Sequence, residues 1–186
     1  MLLKLRKSKG NLEFSFYRNP SADMLLSYEQ VNPLSLQKDI LHFCSVSLID
    51  YPIKQTHERL IDDFIASNGI ISFDPNLRLS LWSDHDKLKK TVHDFIPKAD
   101  ILKVSDEELT FITGITDTSE AIRSLFVGRV KAVLYSRGKH GSSLYLKDKK
   151  REYDGFKVEA IDTTGAGDAF IGAVLYQIQQ MKKLVE

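Results

Sequence analysis

The sequence predicts a single-domain α/β fold with a mainly parallel sheet, on three observations. Short apolar, β-rich runs alternate with stretches of helical spacing from residue 40 onward. The 186 residues carry 26 Lys plus Arg against 25 Asp plus Glu and are 42% hydrophobic, which is the profile of a globular chain. Ten Gly and five Pro are too few for a linker-dominated chain, and one Cys excludes an intrachain disulfide framework or a multi-cysteine metal site.

Residues 2–5 and 12–17 flank Lys7-Ser8-Lys9-Gly10-Asn11, and Leu12, Phe14 and Phe16 alternate, so residues 1–20 are expected to form a β-hairpin. Residues 40–49 (ILHFCSVSLI) read as a parallel core strand buried on both faces, with Cys44 filling space inside it. A helix over 57–66 follows, with Leu60, Ile61, Phe64 and Ile65 on one stripe, then a strand over 70–73. A second helix over 86–95 aligns Leu88, Val92, Phe95 and Ile96 ahead of a strand over 101–104. Short helices over 106–112 and 119–127 lead to a strand over 132–135 and meander strands over 143–146 and 156–161.

The last helix runs from about residue 168 to 182. It carries Phe170, Ala173, Val174 and Ile178 with Ile171 and Leu175 beside them, a stripe wider than a surface helix needs. Cover beyond one sheet is therefore expected, and the sequence is read as truncated at this end. At the other end the hairpin has no strand before it.

The net charge of +1 gives no footprint for a nucleic-acid partner. Charges crowd residues 4–9 too early for a signal-peptide core, and no apolar run reaches the roughly 18 residues of a membrane span. The expected setting is a reducing cytoplasm, with no membrane partner. His42, His57, His85, His93 and His140 show no ligand spacing and read as structural or surface residues. Trp82 is expected to pack.

Chemistry concentrates in Asp162-Thr163-Thr164-Gly165-Ala166-Gly167-Asp168. Ahead of a helix, the N–H groups of Gly165, Ala166 and Gly167 can converge on an anion, the arrangement of an oxyanion hole for a phosphoryl group. Asp168 in the first turn can take a proton from a hydroxyl beside that hole. The alternative is a tight turn in which Asp168 only complements the helix dipole. Around Gly138-Lys139 a Walker A loop fails, because Val133 and His140 replace its first Gly and its Ser or Thr. A dinucleotide fingerprint fails at Phe170.

The stretch 162–175 resembles the second signature of the PfkB-type, ribokinase-like carbohydrate kinases. Three further stretches fall in that family's order: Phe73-Asp74-Pro75-Asn76-Leu77-Arg78 with Leu81-Trp82, Lys103-Val104-Ser105-Asp106-Glu107-Glu108, and Tyr135-Ser136-Arg137-Gly138. The D-P-N-L-R…L-W run and Phe16-Tyr17-Arg18…Ala22-Asp23 are most similar to bacterial fructokinases. The likeness spans nearly the whole chain but only the later part of the family's fold. The Gly-Gly substrate signature, much of the lid and the C-terminal adenine-enclosing segment have no counterpart here.

The resemblance implies a Rossmann-like three-layer sandwich, partial over 1–186, with the hairpin at the lid or sheet edge. It implies ATP-dependent transfer of the γ-phosphoryl group to a small sugar, fructose first. Another PfkB-type substrate (a ketodeoxy sugar acid or ribose) and a non-catalytic truncated remnant are the alternatives. By position, Asp168 would be the general base and Gly165, Ala166 and Gly167 the anion hole. Asn76, Arg78, Ser136 and Gly138 would contact ATP, and Asp162 and Thr164 would bind a monovalent cation such as K+. Glu108 would organise Mg2+ indirectly, although Ser105 stands in the family's Asn position and Ser105-x-x-Glu108 is also a helix capping box. Arg18 and Tyr17 are substrate candidates, with a solvated edge charge as the alternative for Arg18. A sugar partner is implied, and a homodimer is left open.

Overall fold

The computed structural model describes residues 2–8, 11–18, 20–31 and 40–185, with side chains described at 18, 20–31 and 40–181. The hairpin forms as read: β1 (Leu2–Ser8) and β2 (Asn11–Tyr17) pair antiparallel from Leu2↔Tyr17 to Ser8↔Asn11. They make a two-stranded sheet of their own, separate from the main sheet. A short helix α1 (Ala22–Leu25) follows, anchored by buried Met24.

The main sheet has six strands in chain order. β3 (Ile40–Cys44), β4 (Ile70–Asp74), β5 (Ile101–Ser105) and β6 (Ala132–Ser136) run parallel, and β7 (Ser142–Leu146) and β8 (Lys149–Tyr153) continue antiparallel. Each parallel strand is added on the same side of its predecessor. Right-handed crossovers therefore carry their helices to one face: α2 (Pro52–Ala66), α3 (His85–Phe95), α4 (Asp106–Thr113) and α5 (Thr118–Ser124).

Strand alternation then divides the core. Phe43, Ile71, Phe73, Leu102, Val104 and Val133 meet Ile61, Leu88, Val92, Phe95, Ile112 and Ile122 on the four-helix side, and Trp82 is buried with them. Ile101 and Leu134 face the other way, against Ile171 of α6 (Ala166–Val185), with Phe170, Val174, Leu175 and Ile178 alongside. No described helix is long and apolar enough to cross a membrane.

Three expectations are corrected. The apolar run 40–49 is not one core strand: β3 ends at Cys44, a 3-10 turn takes Ser45–Ser47, and among the described residues β3 stands at the edge of the sheet with only Phe43 buried along it. Its apolar content serves one covered face and the turn, and Cys44 sits half-buried at the strand's end. Residues 156–161 form no strand, and Phe156, Val158 and Ile161 are 88%, 76% and 98% exposed. The partner of β7 is instead Lys-Lys-Arg-Glu-Tyr at 149–153, joined after the Leu146↔Lys149 pair by Lys147-Asp148. This polar outer strand has no apolar alternation and no glycine in its turn, so periodicity pointed to the wrong segment. On α6, Ala173 is exposed rather than part of the sheet-facing stripe.

Candidate active site

The carboxyl ends of the parallel strands and the start of α6 meet around a cleft of about 450 Å³, lined by His42, Phe43, Cys44, Ser47, Asp74, Asn76 and Asp168 among others. An open parallel sheet leaves its ligand crevice at this end, because the crossover helices occupy the faces.

The turn into α6 is built from its glycine. The Ala166 N–H donates to the Thr163 carbonyl at 3.1 Å, and Gly165 holds φ +77°, so a tight turn is closed by a residue without a Cβ penalty. The Ala169 N–H then donates to the Gly165 carbonyl at 2.8 Å and starts the helix. Asp168 follows one residue after Gly167 and enters the cleft wall. Asp162 closes a second local bond: its Oδ1 accepts from the Thr164 N–H at 2.8 Å and from Thr164 Oγ1 at 2.6 Å. The Thr164 hydroxyl holds this carboxyl below the usual carboxylate range.

Asn76, left-handed at φ +42°, also lines the cleft, and its N–H donates to Asp74 Oδ1 at 3.2 Å. A non-glycine residue in that region carries strain of order 1–3 kcal/mol, the kind of cost that concentrates at ligand sites. Glu108 braces the same loop. Its Oε1 accepts from the Leu77 N–H at 2.8 Å and its Oε2 from the Ser105 N–H at 2.9 Å, while Ser105 Oγ accepts from the Glu108 N–H at 3.3 Å. The capping box is formed, and Glu108 also ties α4 to the loop that carries Asn76.

Other expected residues stand further out. Arg78 is exposed, while Ser136 and Gly138 bracket the loop after β6. Arg18 is no solvated charge: its side chain is 6% exposed, Nη2 donates to Asp23 Oδ2 at 2.7 Å, and Nη1 donates to the Val46 carbonyl at 2.9 Å. It fastens the foot of the hairpin to the turn beside the cleft. The Tyr17 side chain lies outside the described residues.

Three features of the cleft escaped sequence reasoning. His42 and His57 line it, with His42 Nδ1 sharing a 3.0 Å hydrogen bond with Ser72 Oγ. Desolvation, then the nearby Lys103 charge, keep the His42 ring below the ordinary imidazole range. Burial pushes the Cys44 thiol up, so it is a poor nucleophile at neutral pH. Beneath the cleft, Lys103 Nζ donates to Asp74 Oδ2 at 2.6 Å, the two side chains being 7% and 3% exposed. The available signal was a lysine inside the apolar run Ile101-Leu102-Lys103-Val104.

Burial raises the Asp74 carboxyl to about 6, more than Lys103 pulls it back. An acid that holds its proton more tightly when folded adds stability that is full below its unfolded value and lost as pH rises through the folded one. The window is therefore 3.8 to about 6, and the amount is on the order of 2–3 kcal/mol. In urea titrations, the stability of the wild type relative to Asp74→Asn should fall as pH rises across that window. Parallel curves for the two proteins would contradict the assignment.

Comparison with known proteins bears on the family and the fold. Residues 2–186 match the pfkB family carbohydrate kinase description. The chain is 41% identical over 182 residues to a probable fructokinase-2 of Arabidopsis thaliana, which takes in 97% of this chain and 55% of that one. A fructokinase double mutant from Vibrio cholerae O395, solved with fructose, ADP and potassium ion, superposes with a TM-score of 0.80 at 35% identity, over 89% of this chain and 53% of its own. A fructokinase from Xylella fastidiosa with bound ATP gives 0.81 at 32%, over 92% and 54%. The fold and the cleft define an α/β protein of the ribokinase-like class. The chain belongs to the pfkB family of carbohydrate kinases, and it spans about half the length of the relatives it matches.

Proposed function

We propose that this chain carries the phosphoryl-transfer centre of an ATP-dependent sugar kinase with fructose as its first substrate. The observation that carries the reading is the Gly165 turn, which sets Asp168 into a cleft shared with Asn76 at the carboxyl ends of β3 and β4. Support for fructose and for ATP comes from the relatives named fructokinase and from the structures solved with fructose and ADP or with ATP.

In this reading the sugar enters the cleft with a primary hydroxyl at Asp168, whose carboxylate takes the proton as the oxygen attacks the γ-phosphorus in line and the bond from that phosphorus to the β–γ bridging oxygen breaks, releasing ADP. The backbone of Gly165, Ala166 and Gly167 faces the charge on the transferred group. The Ala166 N–H is held by Thr163 in the present turn, which leaves Gly165 and Gly167 as the first donors and Ala166 a third if the turn opens. Asn76 and Arg78 stand on the phosphate side, and Ser136 with Gly138 on the nucleotide side.

Glu108 would organise magnesium through water, with each of its carboxylate oxygens already accepting one backbone N–H group. A magnesium ion held there would supply positive charge to offset that of the phosphates. Asp162 and Thr164 offer an oxygen-rich partial donor set for K+. The test is initial rates with fructose, ribose and a ketodeoxy sugar acid as acceptors, ATP as donor, and magnesium and potassium present. A preference for fructose is expected, and preference for another acceptor would overturn the substrate assignment.

A further inference from the structure

Resting on the kinase reading above, we propose that Lys103 is a positioning residue that places a fixed cation beneath the Gly165–Gly167 turn, so that the turn holds a phosphoryl anion. On β5 the side chains alternate. Leu102 and Val104 enter the four-helix core, whereas Ile101 faces α6, and Lys103 shares the Ile101 face by strand register. A lysine buried at this position costs desolvation that a methionine there would not incur. Its neighbourhood accounts for its presence.

Nζ is clamped by Asp74 at 2.6 Å, and the pair is buried. A Cβ built on Gly167 would lie 3.5 Å from Nζ and 3.8 Å from Cε, and outside the glycine's own helix and chain neighbours no other described atom comes within 4 Å of it. The ammonium group thus stands closer to the turn than its carboxylate partner does. Asp74 is the member of the pair that lines the cleft, and Lys103 is the member that meets Gly167. His42, on β3 with β4 between it and β5, registers Lys103 and Asp168 with opposite sign, which places both charges in one electrostatic neighbourhood.

The pair also separates two roles. If Lys103 and Asp74 only held β4 to β5, a neutral pair of similar volume would serve as well. If Lys103 supplies field to the turn, the neutral pair keeps the fold and loses the anion. Lys103→Met alone leaves Asp74 buried without its partner and risks unfolding. The decisive variant is therefore the double change Asp74→Asn with Lys103→Met.

Inorganic phosphate is titrated at fixed pH into the full chain, wild type and double variant, while the Gly165, Ala166 and Gly167 amides are followed by NMR and each protein is melted separately. The wild-type amides should shift and saturate. The double variant should melt at a temperature close to the wild type and bind phosphate at least about tenfold more weakly, the scale of a lost charge-assisted contact. Equal affinity in the two proteins would overturn the role of Lys103 and leave the kinase reading standing. If the double variant melts far below the wild type, the pair is structural and the proposal fails. Wild-type amides that do not respond would refute the anion-binding turn itself, and the role of Lys103 with it.

Discussion

In a polypeptide that turns over fructose, replacing Asp168 with alanine is expected to lower turnover by roughly 10² to 10⁴, the usual scale for removing a general base. Nucleotide affinity should be nearly unchanged. Asp168 stands one residue beyond the glycine turn and lines the cleft, so truncating it removes the proton acceptor without touching the Ala166-to-Thr163 bond that closes the turn. A loss confined to KM would mean that Asp168 only binds sugar. Unimpaired turnover would exclude it as the base.

The largest expected effect on folding lies at Gly141. It holds φ +88° with ψ −150°, in a region that essentially only glycine occupies. A Cβ there would sit 2.0 Å from the Tyr153 carbonyl oxygen, a backbone atom with no freedom to swing aside. The Arg137 N–H donates to the Gly141 carbonyl at 2.8 Å, so the loop bearing Gly138 is closed by this residue. Gly141→Ala should cost about 3–5 kcal/mol, combining backbone strain with a forced separation of the 138–141 and 153–155 loops. The check is the urea midpoint at unchanged m-value. A loss below about 1 kcal/mol would show that the two loops part without cost.

The parallel strands and the helices between them were legible because each is both periodic and buried: Leu88, Val92 and Phe95 repeat at helical spacing and end at most 1% exposed. The glycine turn was legible for a different reason, since two glycines before an acid and an apolar helix admit few backbones. What stayed hidden was set by the far side of the chain. That β3 stands at the edge among the described strands, and that Lys149–Tyr153 pairs with β7 in place of 156–161, depends on sheet order, which no local window contains.

Glu108 illustrates the same limit within the site. Its capping box with Ser105 is a local pattern, whereas its bond to the Leu77 N–H crosses 31 residues. The Lys103–Asp74 pair, 29 residues apart, was marked in sequence only by a charge in an apolar run. Arg18 looked like an edge charge until its two acceptors, Asp23 and the Val46 carbonyl, came into place.

The central claim is that the turn before α6 and Asp168 transfer phosphate to a sugar hydroxyl. The most direct measurement is phosphorus NMR of this polypeptide with ATP, magnesium, potassium and fructose, run beside Asp168→Asn. A sugar phosphomonoester resonance should grow with the wild type and be nearly absent with the variant. Equal growth in both proteins, or release of inorganic phosphate with no sugar phosphate, would contradict the account.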